Sequence, residues 1–452
     1  MKDFIISLFN LKPGEYEDIS FLRENDTTIH AYISTIPKEN ECPYCGSALQ
    51  KYGHGRTRTI TNSLLKNQHC DIIWTPQRFR CKEPSCRAVI TERNPFGFQG
   101  FKVSFATMQH IMFDLKNPHL SFKDVAKNND VSITQVQRYF DSYVHAPRPL
   151  HLPENLGIDE VRSDMAKYGN KYICVLVDNT RREVFDILPA RSKHELEKYF
   201  ELFPKEERDK VKYVTIDMWR PYADVAKKLF KNCKVAVDPF HVIEHLTKDF
   251  ARLRVDVMKQ IEYGSTSYYV LKKWNWLCTA NDVELDNEAV YNHVFNRYMN
   301  RRQLLEALLS INDDLCTAYY LMKLYQEFNS DCLEEQSREQ FEMIYEQFLS
   351  CDIPAYREFI TLLKDWKEEI INSFIRVDGR KLTNALTESI NSQIRAYLAV
   401  SKGSSNFERF RRRILYCLND KVFYSCTEFL TTLKREGNKR GTYKKNSNNT
   451  TE

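Results

Sequence analysis

No stretch of this chain approaches the roughly 20 uninterrupted apolar residues that a membrane-spanning helix requires. The short apolar run near the start, FIISLF, is broken by Asn10, and no small-residue cleavage site follows it. These two absences exclude a membrane span and a secretory signal, so a cytoplasmic protein is expected. A large excess of one charge is missing as well. The 66 Lys and Arg against 61 Asp and Glu leave a net +5, too little to name a partner by itself. No internal repeat is found, and the one biased segment is a Lys/Asn/Thr-rich tail after Leu433, whose composition points to disorder. What is present is length: 452 residues at 42% apolar content suffice for roughly two to four domains with a sizeable core.

Thirteen cysteines in a reducing compartment favour metal binding over disulfides. Four of them fall into two short-spaced pairs, Cys42 with Cys45 in CPYC and Cys81 with Cys86 in RFRCKEPSC. Each pair puts two sulfurs on one tight turn marked by Pro43, Gly46 or Pro84, and four thiolates make a closed, structural, tetrahedral Zn²⁺ site. His54, His69 and Cys70 lie between the pairs without paired spacing and are read as ordinary surface or core residues. Arg56, Arg58, Arg78 and Arg80 surround the motif and suit a phosphate backbone.

The periodicity changes along the chain. Residues 1–40 contain a hairpin pattern turning at Asn25 and Asp26, and 41–98 form the expected zinc-binding module. Over 99–146 two short helical patterns separated by DVS predict a helix-turn-helix, with Thr134, Gln135, Gln137 and Arg138 early on the second helix, where a major groove is read. After the proline-rich linker APRPLHLP, residues 147–245 give three meandering strand patterns and then strand and helix in alternation, as in a mixed α/β sheet. Residues 246–378 are helix upon helix, 379–432 carry the last helix of the α/β part, with Glu388, and 433–452 are the tail with Lys434, Arg435, Lys439, Arg440, Lys444 and Lys445.

Two strand patterns, NLGIDEV and KYVTIDM, end an apolar run in an aspartate, Asp159 and Asp217. Far downstream, TNALTESINSQIRAYL is helical: at about 100° per residue Asn384, Glu388, Asn391 and Arg395 fall within roughly 60° of one another, opposite Leu386, Ile390, Ile394 and Tyr397. Three carboxylates suit two divalent cations about 3.5–4 Å apart, which activate the attacking oxygen and stabilise the leaving one in phosphodiester chemistry. Mg²⁺, or Mn²⁺ in its place, prefers such hard oxygen ligands. Asp217 follows Asp159 by 58 residues but Glu388 follows Asp217 by 171, so a helical insertion of roughly 130 residues interrupts the fold before its last helix. Asp238 and His241 form an Asp-x-x-His motif, read either as a site element or as a helix cap with a packed histidine, and Asp238 stands in reserve should Asp217 prove dispensable. Arg395 is read as a phosphate clamp or as an ordering ion pair. Trp219, Trp274 and Trp276 are weighed as base-stacking rings against ordinary core. Arg409, Arg411, Arg412 and Arg413 beside Phe410 are expected to hold DNA phosphates.

Taken in order, CPYC, RFRCKEPSC, GIDE, TIDMWRPY, VDPFHV, LTNALTESINSQIRAY and FERFRRRIL resemble the bacterial DDE transposases of the insertion sequence L-three family, from about Cys42 to about Leu415. The resemblance implies a multidomain α+β chain: a zinc-ribbon-like module, a helix-turn-helix, and a ribonuclease H-like core interrupted by a large helical insertion. It implies Asp159, Asp217 and Glu388 as the catalytic triad. It also implies double-stranded DNA as partner, both terminal inverted repeats and target, and a homodimer or larger assembly in the synaptic complex. Two alternatives stand beside it, a zinc and helix-turn-helix regulator derived from a transposase, and a metal-dependent nuclease without strand transfer.

Overall fold

The computed structural model describes residues 9, 11–65, 68–98, 100–280, 283–401 and 406–420. The expected tail over 433–452, with its lysines and arginines, lies outside the described residues. The chain divides into two compact units, the first drawn from Met1–Lys116 and Phe122–Ala146, the second from Asn117–Ser121 and Pro147–Asn419.

In the first unit Asn25 turns the chain by accepting the Thr27 N–H at 2.9 Å, and the polar and apolar alternation on either side becomes the antiparallel pair β1 (Tyr16–Arg23) and β2 (Thr28–Thr35). The hairpin is not a separate lead-in. The inward side chains of β2, Ala31 and Ile33, are buried with Ile60, Ile72, Trp74 and Phe96 from further along the chain, and Tyr16 and Ile19 of β1 pack against them. Five more strands follow, β3 (Leu49–His54), β4 (Arg58–Leu65), β5 (Gln68–Trp74), β6 (Gln77–Cys81) and β7 (Val89–Thr91). They make a four-stranded sheet, β1-β2-β5-β4, in which β2 and β5 run parallel, and a three-stranded sheet, β3-β6-β7. Among the described residues the unit also has three helices, Phe105–Asp114, Phe122–Asn128 and Ile133–Tyr143. Between the last two, Asp130 takes the left-handed conformation (φ 51°), and Ser132 and Gln135 exchange hydrogen bonds in a capping box that starts the second helix.

The second unit is built on β8 (Asn155–Arg162), β9 (Tyr172–Asp178), β10 (Glu183–Leu188), β11 (Tyr213–Ile216) and β12 (Lys234–Val237), in the order β10-β9-β8-β11-β12. Short turns join β8, β9 and β10, so these pair antiparallel. Helices separate β10 from β11 and β11 from β12, and the returning strands run parallel to β8. This mixed sheet is the one the strand patterns anticipated. From Pro239 to Asn372 the chain is helical apart from short connections and the hairpin Val290–Asn292/Arg297–Met299. These helices share one buried cluster with the sheet: Leu156, Ile158 and Val214 join Phe250, Tyr319, Phe328 and Phe359. Trp274 belongs to this core at 8% exposure, whereas Trp276 is 42% exposed.

The helix carrying Glu388, Ala385–Val400, packs directly on β8. Glycine at position 157 permits the approach, because a Cβ there would stand 2.5 Å from the Thr387 hydroxyl, itself wholly buried. A buried β-branched side chain on a helix has little rotameric room to retreat. Gly157→Ala should therefore destabilise the unit by about 1–3 kcal/mol, and Thr387→Ala added to it should recover most of the loss. Thermal melting of the two variants checks this; an equally unstable double variant would show that the contact is not the cause.

Candidate active site

Ile158 of β8 lies opposite Ile216 of β11 in parallel register, so the next residues, Asp159 within β8 and Asp217 just past the carboxyl-terminal end of β11, come side by side. Ligands of open α/β sheets bind at the carboxyl-terminal ends of the strands. Oxygens of Asp159, Asp217 and Glu160 all lie within 4.8 Å of one another, with each of the three side chains half-buried. Sequence reasoning missed Glu160, although its place directly after Asp159 in GIDEV put it in reach. Asp159 accepts the Glu160 N–H at 2.7 Å and the Asn391 side-chain amide at 2.8 Å, and Asp217 accepts the Trp219 N–H at 3.0 Å. Burial pushes the Asp159 carboxyl up to about 7, with the charges of Asp217 and Glu160 adding to it. Burial first and Glu160 second push Asp217 up to about 6. Crowded, half-buried acids of this kind are suited to a multivalent cation.

Glu388 is not a member of that three-acid group among the described residues. On its helix the buried arc runs through Tyr397, Ile390, Ile394, Thr387, Asn391 and Asn384, so the expected division into an apolar and a polar face is shifted: Asn384 and Asn391 point inward and Leu386 is only half-buried. Glu388 stands just outside the arc with its side chain 43% exposed, and His241 Nε2 is 3.6 Å from its Oε1. Burial and the nearby Asp238 raise the Glu388 carboxyl above its usual range, against the pull of His241 and Arg395. Arg395 is exposed on the same side.

Asp238 follows β12 and is 3% exposed, with both oxygens engaged. One accepts the Phe240 N–H at 2.8 Å and caps the helix Pro239–Gln260; the other accepts the Asn384 N–H at 2.6 Å and the Thr383 hydroxyl at 3.1 Å. Of the two readings of Asp-x-x-His, the cap is the one seen for Asp238, while His241 faces Glu388. The Trp219 ring stacks on Arg191, whose guanidinium carbon is 4.5 Å from the ring centroid, and meets Tyr222 edge-on at 4.6 Å.

The arginine run departs from expectation. Arg411 is buried and bonded to Asp186 at 2.5 Å; Arg413 is wholly buried and donates to the carbonyls of Asn117 and Leu120 at 3.2 and 3.0 Å. Arg412 is 16% exposed beside Glu408, and Arg409 is half-buried. Consecutive residues turn by about 100° on a helix, so a run of four cannot share one face, and on Phe407–Leu418 two of them turn inward beside Phe410 and Ile414. Arg411 and Arg413 are thus corrected from DNA contacts to interior residues.

In the first unit the four sulfurs of Cys42, Cys45, Cys81 and Cys86 converge, Cys45 to Cys81 at 3.4 Å and Cys42 to Cys86 at 3.8 Å. Those spacings fit the edges of a tetrahedron with arms of about 2.3 Å, the Zn–S distance. Gly46 (φ 72°) and Arg87 (φ 45°) close the two turns in left-handed conformations. His54, His69 and Cys70 stay outside the group; His69 sits between Asp71 and Asp130 at 3.1 Å each. Arg80 and Arg78 lie over Tyr52 at 3.6 and 5.9 Å, Arg58 lies over Trp74 at 5.6 Å, and Arg56 is exposed. On the second helix of the pair Gln135 is used in the capping box, Thr134 is exposed, Gln137 is half-buried, and Arg138 lies 5.3 Å over Phe101.

Asp159 and Asp217 thus stand side by side on the sheet, with the helix that carries Glu388 packed on β8. Residues 156–414, more than half of the chain, match the family model described as transposase, and the chain belongs to that family, the DDE transposases of the ISL3 type. It is similar to the transposase for insertion sequence element IS1001 of Bordetella parapertussis, 25% identical over 247 residues, which cover 54% of this chain and 57% of that protein. The chain thus spans little more than half the length of that curated relative.

The acid pair makes a signed prediction for the metal-free protein. The Asp159 carboxyl is raised from 3.8 to about 7, so between those values the folded state binds more protons than the unfolded one and stability falls as pH rises. Asp159→Asn should accordingly raise the melting temperature at pH 8 and leave it nearly unchanged at pH 4, read by calorimetry with a chelator present. A lower melting temperature at pH 8 would contradict it. The cysteine cluster makes a second. Purified protein should carry one zinc that Cys42→Ser loses, with a lower melting temperature, because four thiolates share the ion with the fold; metal analysis decides.

Proposed function

We propose that this protein is a DNA transposase that binds the terminal inverted repeats of its own insertion sequence, cleaves the ends, and joins the freed 3′-hydroxyls to target DNA. The observation that carries the reading is the placing of Asp159 and Asp217 directly after the paired Ile158 and Ile216 of two adjacent parallel strands, with the Glu388 helix tied to β8 through Asn391 and to the end of β12 through Asp238. The family and the named relative support it. In this reading the five-stranded sheet is a ribonuclease H-like core, residues 246–378 are its insertion, and Asp159, Asp217 and Glu388 are the triad.

Asp159 and Asp217 would hold two Mg²⁺ or Mn²⁺ ions with Glu388 completing the set, and such ions, when bound, activate the attacking oxygen and stabilise the leaving one. The chain's own contribution is orientation. The Asn391 amide fixes one Asp159 oxygen, the Trp219 N–H fixes one of Asp217, and His241 sets the direction of Glu388. The zinc module and the helix pair serve as DNA-reading elements, with Arg56, Arg58, Arg78, Arg80, Thr134 and Arg138 as contacts, and the working form is a dimer or larger.

Asp159→Asn, Asp217→Asn and Glu388→Gln should each lower end cleavage by more than tenfold while repeat binding stays within a few-fold, since the reading elements are elsewhere in the chain. The substrate is a duplex bearing the DNA that borders the gene, and the products are cleaved ends and joined strands on gels. Cleavage without joining would identify a nuclease, and binding without cleavage by the unaltered protein a regulator. Asp238→Asn, run beside them, should lower the melting temperature as well as the rate, as expected of a clamp.

A further inference from the structure

Glu160 is the third carboxylate of the acid cluster, and neither of its oxygens is idle. Arg191 donates to Oε1, and the Tyr222 hydroxyl donates to Oε2 at 2.8 Å. Arg191 is itself held between two rings, its guanidinium carbon 4.2 Å from the centroid of Tyr172 and 4.5 Å from that of Trp219. Trp219 closes the circle by meeting Tyr222 edge-on and by donating its N–H to Asp217. Tyr172 opens β9, Arg191 follows β10, and Trp219 and Tyr222 follow β11, so separate parts of the sheet converge on one guanidinium.

A simple ion pair at a partly exposed position contributes at most about 1 kcal/mol and needs no such enclosure. What two flanking rings add is a fixed plane. The guanidinium carries five N–H donors in that plane, of which Glu160 takes one, and the Arg191 side chain remains 24% exposed. Tyr172 and Trp219 crowd the guanidinium, and the charge of Arg191 reaches Asp217, whose carboxyl it pulls down. An edge of parallel N–H donors is the geometry that recognises a phosphate. Charge points the same way: three neighbouring carboxylates repel a phosphodiester, and Arg191 is a permanent positive charge beside them.

We propose that Arg191 is a DNA-phosphate contact of this site and that Glu160 is the positioning residue that aims it, not a third ligand for a metal ion. The inference rests on the reading of the site as a DNA-processing centre. Its test is a binding cycle that needs no cleavage. In the Asp159→Asn protein, affinity for the gene-bordering duplex is measured by anisotropy while single phosphates are replaced by neutral methylphosphonates. One replacement should weaken binding about tenfold, the size of one charge-assisted contact. Arg191→Ala should weaken the unmodified duplex by a similar factor and abolish the sensitivity at that one phosphate. Arg191→Lys, which keeps the charge but not the plane, should retain only part of it, and Glu160→Gln should blunt the coupling more than Glu160→Asp. Undiminished sensitivity at that phosphate in the Arg191→Ala protein, or a loss of divalent-ion binding in Glu160→Gln that Arg191→Ala does not share, would overturn the proposal. Melting curves of each variant separate lost contacts from lost folding. Coupling in the cycle with no cleavage by the unaltered protein would retain the phosphate contact and sink the transposase reading; cleavage without coupling would do the reverse.

Discussion

The parallel pairing of β8 with β11 is the constraint on which the rest of the second unit turns. It sets Ile158 against Ile216 and thereby brings Asp159 and Asp217 side by side without any further device. A slip of one residue would send every side chain of a strand to the opposite face, so the apolar residues beneath the acids hold the chemistry in register as surely as they hold the core. The same pairing makes the site electrostatically costly. Two aspartates and a glutamate crowd together there, and the hydrogen bonds from Asn391, Trp219 and Tyr222 offset only part of that cost.

Much of this was legible in the sequence because it is local. Apolar runs ending in an acid, three meandering strands before the helices begin, and two cysteine pairs on turns are each encoded within a few residues of one another. The mixed character of the five-stranded sheet followed from those signals together with the rule that parallel strands require a crossover, while its strand order did not. Less local facts were not legible. Whether β2 would pair with β5 depends on residues about forty positions apart, and no periodicity announces it. Glu160 was overlooked because a strand alternates its faces, and an acid next to Asp159 reads as pointing away, yet an oxygen of each lies within 4.8 Å of one of Asp217.

The arginines after Glu388 show a different limit. Four basic residues in five positions look like a surface on a page, but a helix distributes them around its axis, and burial then depends on what the rest of the fold offers. Asp186 on β10 supplies a carboxylate for Arg411, and the carbonyls of Asn117 and Leu120 supply acceptors for Arg413. A buried guanidinium with such partners rivals an aromatic side chain in contact area and adds directional bonds. Charge density in a sequence therefore measures potential for an interface, and only the partners across the fold decide whether that interface faces outward.

Asp238 ties together two points far apart in the chain. One oxygen begins the long helix that leaves the sheet at Pro239, and the other receives the chain at Thr383 and Asn384 as it comes back. Residues 240 to 382 therefore form a closed excursion whose departure and return are pinned to a single carboxylate. Such an arrangement seats the Glu388 helix by a local clasp between two chain segments, while the helices that lie between share their buried core with the sheet. The excursion is therefore closed twice, at its mouth by one carboxylate and along its body by the apolar core it shares with the sheet.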